Sequence, residues 1–120
     1  MLEATHNTDI RVTEFTVAPQ ITPEEGLPYH EWFVEFENEP NDLEELERKL
    51  DDSLQIQNSY YFDLIKGKVL QPLKITKVKK DGFQDYMKSI GKLGGQNKIP
   101  RLSNDRNIVA VFTQLNLVKL

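Results

Sequence analysis

The residues best equipped for chemistry fall in one short stretch, residues 93–103 (LGGQNKIPRLS). Gly94 and Gly95 let a backbone approach a ligand closely, Lys98 and Arg101 are cationic donors, and Pro100 stiffens the turn. A lysine held in such a loop can reach a phosphate oxygen and neutralise charge that develops during phosphorus chemistry. Arg101 offers a planar fork that grips phosphate or carboxylate through two parallel hydrogen bonds. The competing reading is that both cations pair with acidic side chains of the same chain. A Walker-type phosphate loop is excluded, because the GxxxxGK[ST] spacing is missing and the glycines lead into Ile99-Pro100 rather than a helix.

Other chemistries lack their residues. No GxSxG, HExxH or dinucleotide fingerprint occurs. With no cysteine, disulfides and thiolate chemistry are ruled out, and a cytoplasmic address is the natural expectation. His6 and His30 are too few and too far apart for a metal site, so no metal is expected. His6 lies in a polar terminus and His30 opens a strand beside Glu31, which leaves a Ser/His/Asp hydrolase unsupported. Carboxylates are plentiful but fall on helix and strand faces that read as solvated, so no acid–base pair is nominated.

Hydrophobic periodicity supplies the elements that must carry the loop. Residues 10–18 (IRVTEFTVA) read as a strand whose alternation slips at Glu14, as a bulge would make it, and residues 19–28 form a Pro-rich loop. Residues 29–37 are the clearest strand, with Trp32, Val34 and Phe36 on one side and Glu31, Glu35 and Glu37 on the other. Phe33 breaks that pattern and must be covered by something outside the strand's buried side, such as another domain. Trp32 reads as core. Asn41 with Glu44 makes a capping box for a helix striped by Leu43, Leu46, Leu50 and Leu54. Asn58-Ser59 ends it and caps a short helix over residues 60–66, closed by Gly67, with Tyr60 and Tyr61 read as packing residues by default and a ligand role for either as the alternative.

Residues 69–80 are a third extended region. Pro72 puts it at an edge or bend, and Lys74, Lys77, Lys79 and Lys80 shield its open side. Asp81 and Gln84 make a second capping box, for a helix with Phe83, Tyr86, Met87 and Ile90 on one face. After the loop, Ile108, Val111, Phe112 and Leu115 fit a last helix capped by Ser103 or Asn104. The order predicts a single α+β domain over residues 1–120: a small, mainly antiparallel sheet of three or four strands, packed on one face by three or four helices.

A chain of 120 residues is long enough to bury roughly two-thirds of its unfolded surface. No run of 18 apolar residues and no signal-peptide pattern is present, so nothing argues for a membrane or for secretion. The net charge of −4 hides an asymmetry. Residues 1–59 hold 3 basic and 15 acidic side chains, and residues 60–120 hold 12 basic and 4 acidic. Either the halves attract each other within one domain, or the basic half faces a phosphate-bearing ligand or an acidic surface. Nucleic acid is the weakest such partner, since no aromatic is interleaved with the lysines at 74–80 and the acidic half would repel phosphate.

Three segments in order carry a family resemblance: residues 12–19 (VTEFTVAP) with 30–37 (HEWFVEFE), residues 58–61 (NSYY), and residues 93–101 (LGGQNKIPR). Together they resemble the C-terminal domain of the auxin-conjugating (Gretchen Hagen) acyl-acid amido synthetases, especially bacterial members. The last segment is similar to the family's glutamine–any–lysine–any–proline–arginine signature. The resemblance implies a ligase that activates a carboxylic acid with ATP and Mg²⁺ to an acyl-adenylate and then passes the acyl group to an amino acid. It implies that Lys98 is the catalytic lysine of adenylation, with Gly94, Gly95, Gln96 and Arg101 shaping and anchoring its loop. The family's large N-terminal catalytic domain has no counterpart here. The chain is therefore expected to be a mobile lid that is inactive alone and works against its own N-terminal domain. The alternative is a free-standing binding module whose basic half docks on a phosphate ligand or an acidic protein.

Overall fold

Residue 32 faces one way along its strand and residue 33 the other, and both are buried. That single fact sets the architecture. The computed structural model describes residues 10–21, 26–91, 101–102 and 105–118. Strand β1 (Arg11–Gln20) pairs antiparallel with β2 (Tyr29–Asn38), and β2 pairs parallel with β3 (Lys74–Val78), giving the sheet order β1-β2-β3. The register of β1 shifts between Val12 and Glu14, which is the bulge expected from the slipped alternation. Helices α1 (Leu43–Gln57) and α2 (Ser59–Lys66) connect β2 to β3, and α3 (Gly82–Ser89) and α4 (Asn107–Gln114) follow. Among the described residues the fold is α+β with three strands and four helices.

The expectation that helices cover one face is corrected. Trp32, Val34 and Phe36 of β2 pack with Val17, Ile75, Leu46 and Leu50 on the α1 side. Phe33 packs with Ala18, Val78 and the apolar residues of α3 and α4 on the other side. No second domain is needed to cover Phe33: Phe112 of α4 meets it edge-on at 5.7 Å, and also meets Phe83 at 5.3 Å and Tyr86 at 5.2 Å. Such pairs add about 0.5–1.5 kcal/mol each beyond area burial. A sheet buried on both faces needs a near-continuous apolar run, and WFV at 32–34 supplies it.

The helix boundaries are set by caps. Asp42, not Asn41, caps α1, its Oδ1 accepting from the N–H of Glu45 at 3.2 Å. Asn58 caps α2 as expected, accepting from the N–H of Tyr61 at 3.2 Å, and Gly67 ends that helix. The second expected capping box is corrected. Asp81 is left-handed (φ 63) and makes no side-chain cap. Its place is taken by Glu35 of β2, which is buried and accepts from the N–H groups of Asp81 (3.0 Å) and Phe83 (3.2 Å). A buried carboxylate at a helix N-terminus is stabilised by those orphan donors and by the helix dipole. The expectation that Glu35 is solvated is therefore also corrected.

Candidate functional site

Of the predicted site residues, Gly94, Gly95, Gln96 and Lys98 lie outside the described residues. Arg101 lies within them, and the structure ties it to β1. The N–H of Val17 donates to the Arg101 carbonyl at 2.9 Å, and Leu102 forms a parallel bridge with Val17. The Arg101 guanidinium pairs with the Glu14 carboxylate, donates to the Phe15 carbonyl at 3.1 Å, and sits 4.5 Å from the centre of the Phe15 ring. That ring in turn stacks on Trp32, with centroids 5.3 Å apart. The far end of the segment follows Gly91, just past α3. The segment that carries Lys98 thus starts beyond α3 and finishes on the outer edge of β1.

Arg106 completes that edge. One of its nitrogens donates to the Pro19 carbonyl at 3.0 Å and another pairs with Glu31 at 2.9 Å, while Glu31 also accepts from the Thr76 hydroxyl at 2.6 Å. Carbonyls of Phe15 and Pro19 on the edge of β1 are thus met by two guanidinium groups. At the opposite edge α1 meets two backbone N–H groups with carboxylates: Asp51 accepts from Leu73 at 3.2 Å and Glu47 from Ile75 at 3.3 Å. The N–H of Lys79 donates to the Leu117 carbonyl at 2.7 Å. Side-chain chemistry, and not only the lysines of residues 74–80, closes the edges against another chain.

Three ion pairs join the two charged halves inside the domain: Glu14–Arg101, Glu31–Arg106 and Glu39–Lys77 (3.6 Å). The Arg101 side chain is 60% exposed, so its ion pair is screened and contributes well under about 1 kcal/mol to stability.

Buried Tyr61 and half-buried His30 on the α1 side carry shifted acidity. Burial first, and then the Asp51 carboxylate, push the Tyr61 hydroxyl well above its usual 10. Burial pushes His30 below its usual 6.5, where it stacks on Tyr61 at 5.8 Å. Asp51, which sequence reading places among solvated carboxylates, is buried. The signal that marks it is its phase: it adjoins Leu50 and stands four residues ahead of Gln55, which donates to it at 2.6 Å. The groove beside it, about 740 Å³, is lined by Glu44, Glu47, Asp51 and Asp52 as well as Arg48 and Lys74. Four carboxylates make it a poor seat for a nucleotide's phosphates. Among the described residues, no three His, Asp or Glu side chains gather to hold a cation, and no helix is long and apolar enough to cross a membrane.

The family model described as the GH3 family C-terminal domain matches residues 1–107, and the chain belongs to that family. Among solved structures it is similar to a GH3.15 acyl acid amido synthetase (TM-score 0.74, 19% identity), covering 98% of this chain and 21% of that one. It is likewise similar to the AtGH3.15 acyl acid amido synthetase in complex with 2,4-DB (TM-score 0.73, 17% identity), covering 98% and 22%. At these identities the likeness establishes the fold. The chain spans about a fifth of the length of either structure. No curated protein matches the sequence.

Proposed function

We propose that this chain is the C-terminal lid of an ATP-dependent acyl-acid amido synthetase. The observation that carries the reading is the family match over residues 1–107, with the signature-like segment finishing on β1 at Arg101. In the first half-reaction a substrate carboxylate oxygen attacks the α-phosphorus of ATP and pyrophosphate leaves. In the second, an amino acid's nitrogen attacks the acyl carbon, loses a proton, and AMP departs with the electron pair of the broken bond. Lys98 is the cation that this domain brings to the nucleotide phosphate or acyl carboxylate, and Gly94, Gly95 and Gln96 shape the path to it. Arg101 is the anchor of that segment.

ATP and Mg²⁺ belong to the larger N-terminal catalytic domain. The lid is inactive alone and swings over the partner domain between half-reactions. A cytoplasmic address is part of the same proposal, since the reaction consumes ATP.

The test is ATP–pyrophosphate exchange by the polypeptide as it occurs in the source cell, whose intact mass is measured first. A native product several hundred residues longer than this chain, whose exchange falls by about a hundredfold or more in Lys98→Ala with folding intact, is the expected result. Unchanged exchange in that variant removes Lys98 from the mechanism. A native polypeptide of only these 120 residues overturns the lid reading. Salt-sensitive binding of a phosphate ligand or acidic protein would then identify a free-standing binding module.

A further inference from the structure

Arg101 spends its guanidinium on β1 in three different ways. Its charge pairs with Glu14, one N–H reaches the Phe15 carbonyl at 3.1 Å, and its flat face lies 4.5 Å from the Phe15 ring centre. Its backbone is held as well, by the N–H of Val17 at 2.9 Å. Both polar contacts run through Nη1, and what a lysine would lack is the planar face that lies on the Phe15 ring at the same time. Yet the ion pair is largely exposed, with Glu14 28% and Arg101 60% accessible, so it adds little to global stability. A contact set that is geometrically specific and energetically small fixes a position more than it holds up a fold.

We propose that Glu14 and Phe15 are positioning residues for adenylation. They hold Arg101, and through it the C-terminal end of the segment carrying Lys98, at one place on the sheet. Trp32 backs the Phe15 ring by stacking on it at 5.3 Å. The register of β1 shifts between Val12 and Glu14, so the bulge lies immediately before this pair of residues. The inference rests on the reading that Lys98 acts in adenylation. Lys98 stands three residues before Arg101, so a displacement at the anchor is carried to it along a short stretch of chain.

Two measurements test it. In the 120-residue chain, amide exchange is followed at Val17, which donates to Arg101, and at Val34 in the centre of β2. The double variant Glu14→Gln with Phe15→Leu is expected to speed exchange at Val17 about tenfold and leave Val34 unchanged. Equal loss at both amides would make the role merely structural, and no loss at Val17 would mean no anchor; either overturns the proposal. In the polypeptide that performs pyrophosphate exchange, the same variant should lower kcat about tenfold with KM for ATP unchanged, and this effect should vanish in a Lys98→Ala background. Persistence of the full effect without Lys98 overturns the proposal. Unchanged exchange in Lys98→Ala alone defeats the functional reading first, before Glu14 is altered, and takes the positioning role with it.

Discussion

The Tyr61 hydroxyl donates to Oδ1 of Asp51, ten residues earlier in the chain, and so ties α2 to α1. The same Oδ1 accepts from the N–H of Leu73 at 3.2 Å, while Oδ2 accepts from Gln55 at 2.6 Å. One buried carboxylate therefore fixes two helices and the chain just ahead of β3. Asp51→Ala strands the Tyr61 hydroxyl and the Leu73 N–H and is expected to cost about 3 kcal/mol in urea unfolding. Tyr61→Phe, which leaves Asp51 two of its donors, should cost about 1 kcal/mol. In the double variant the Tyr61→Phe cost should disappear, because its partner has already gone.

Protonation gives stability two limits. Burial raises the Tyr61 pKa above that of the unfolded chain, so the folded state holds this proton more tightly. Its contribution is fully present below about pH 10. It falls as pH rises beyond that value, and Tyr61→Phe should reduce the alkaline loss. Tyr29 and Tyr86 are raised by burial too, so some loss should remain. His30 acts with the opposite sign: burial lowers its pKa, so its contribution is present above about pH 6.5 and is lost as pH falls through the folded value. Urea midpoints measured from pH 7.5 to 5 should drop less in His30→Gln than in the parent. An equal drop would show that His30 is not the group responsible.

The start of α3 depends on one distant side chain and one glycine. Glu35→Ala leaves the N–H groups of Asp81 and Phe83 without their acceptor and is expected to cost about 2 kcal/mol, with Glu35→Gln costing less because one oxygen remains. At Gly82 an added Cβ would stand 2.5 Å from Cγ1 of Val78, so Gly82→Ala should destabilise by about 1–3 kcal/mol. Asp81 next to it is left-handed at φ 63 without using its side chain as a cap. Asp81→Gly should therefore be neutral or slightly stabilising in thermal unfolding, and a loss comparable to that of Gly82→Ala would refute this account of the turn.

What the sequence by itself determined is what short-range periodicity can encode. The leucine stripe at 43, 46, 50 and 54 does face the core, with Leu46 and Leu50 fully buried, because a 3.6-residue period has one side. The Asn58 cap and the Gly67 stop are local hydrogen-bond and backbone choices and are legible for the same reason. The two charge halves were visible as composition, and their attraction within the domain is realised in three ion pairs. The loop segment stood out because glycine, proline and cations together imply a shaped, exposed turn, and its Arg101 end proves to be placed on β1.

Only the tertiary structure decided which surfaces close over the sheet. Alternation reports half-burial, so residues 31, 33 and 35 read as two solvated carboxylates with one misplaced phenylalanine. In the fold all three face the layer made by α3 and α4, where Glu31 meets Arg106, Phe33 meets Phe112, and Glu35 caps α3. A carboxylate can be buried when backbone N–H groups or a guanidinium replace its water, and those partners lie 46 to 75 residues away. Chain separation likewise hid the parallel pairing of β3 with β2. Local pattern fixes what a side chain wants, but the partners that satisfy it are chosen when separated segments meet.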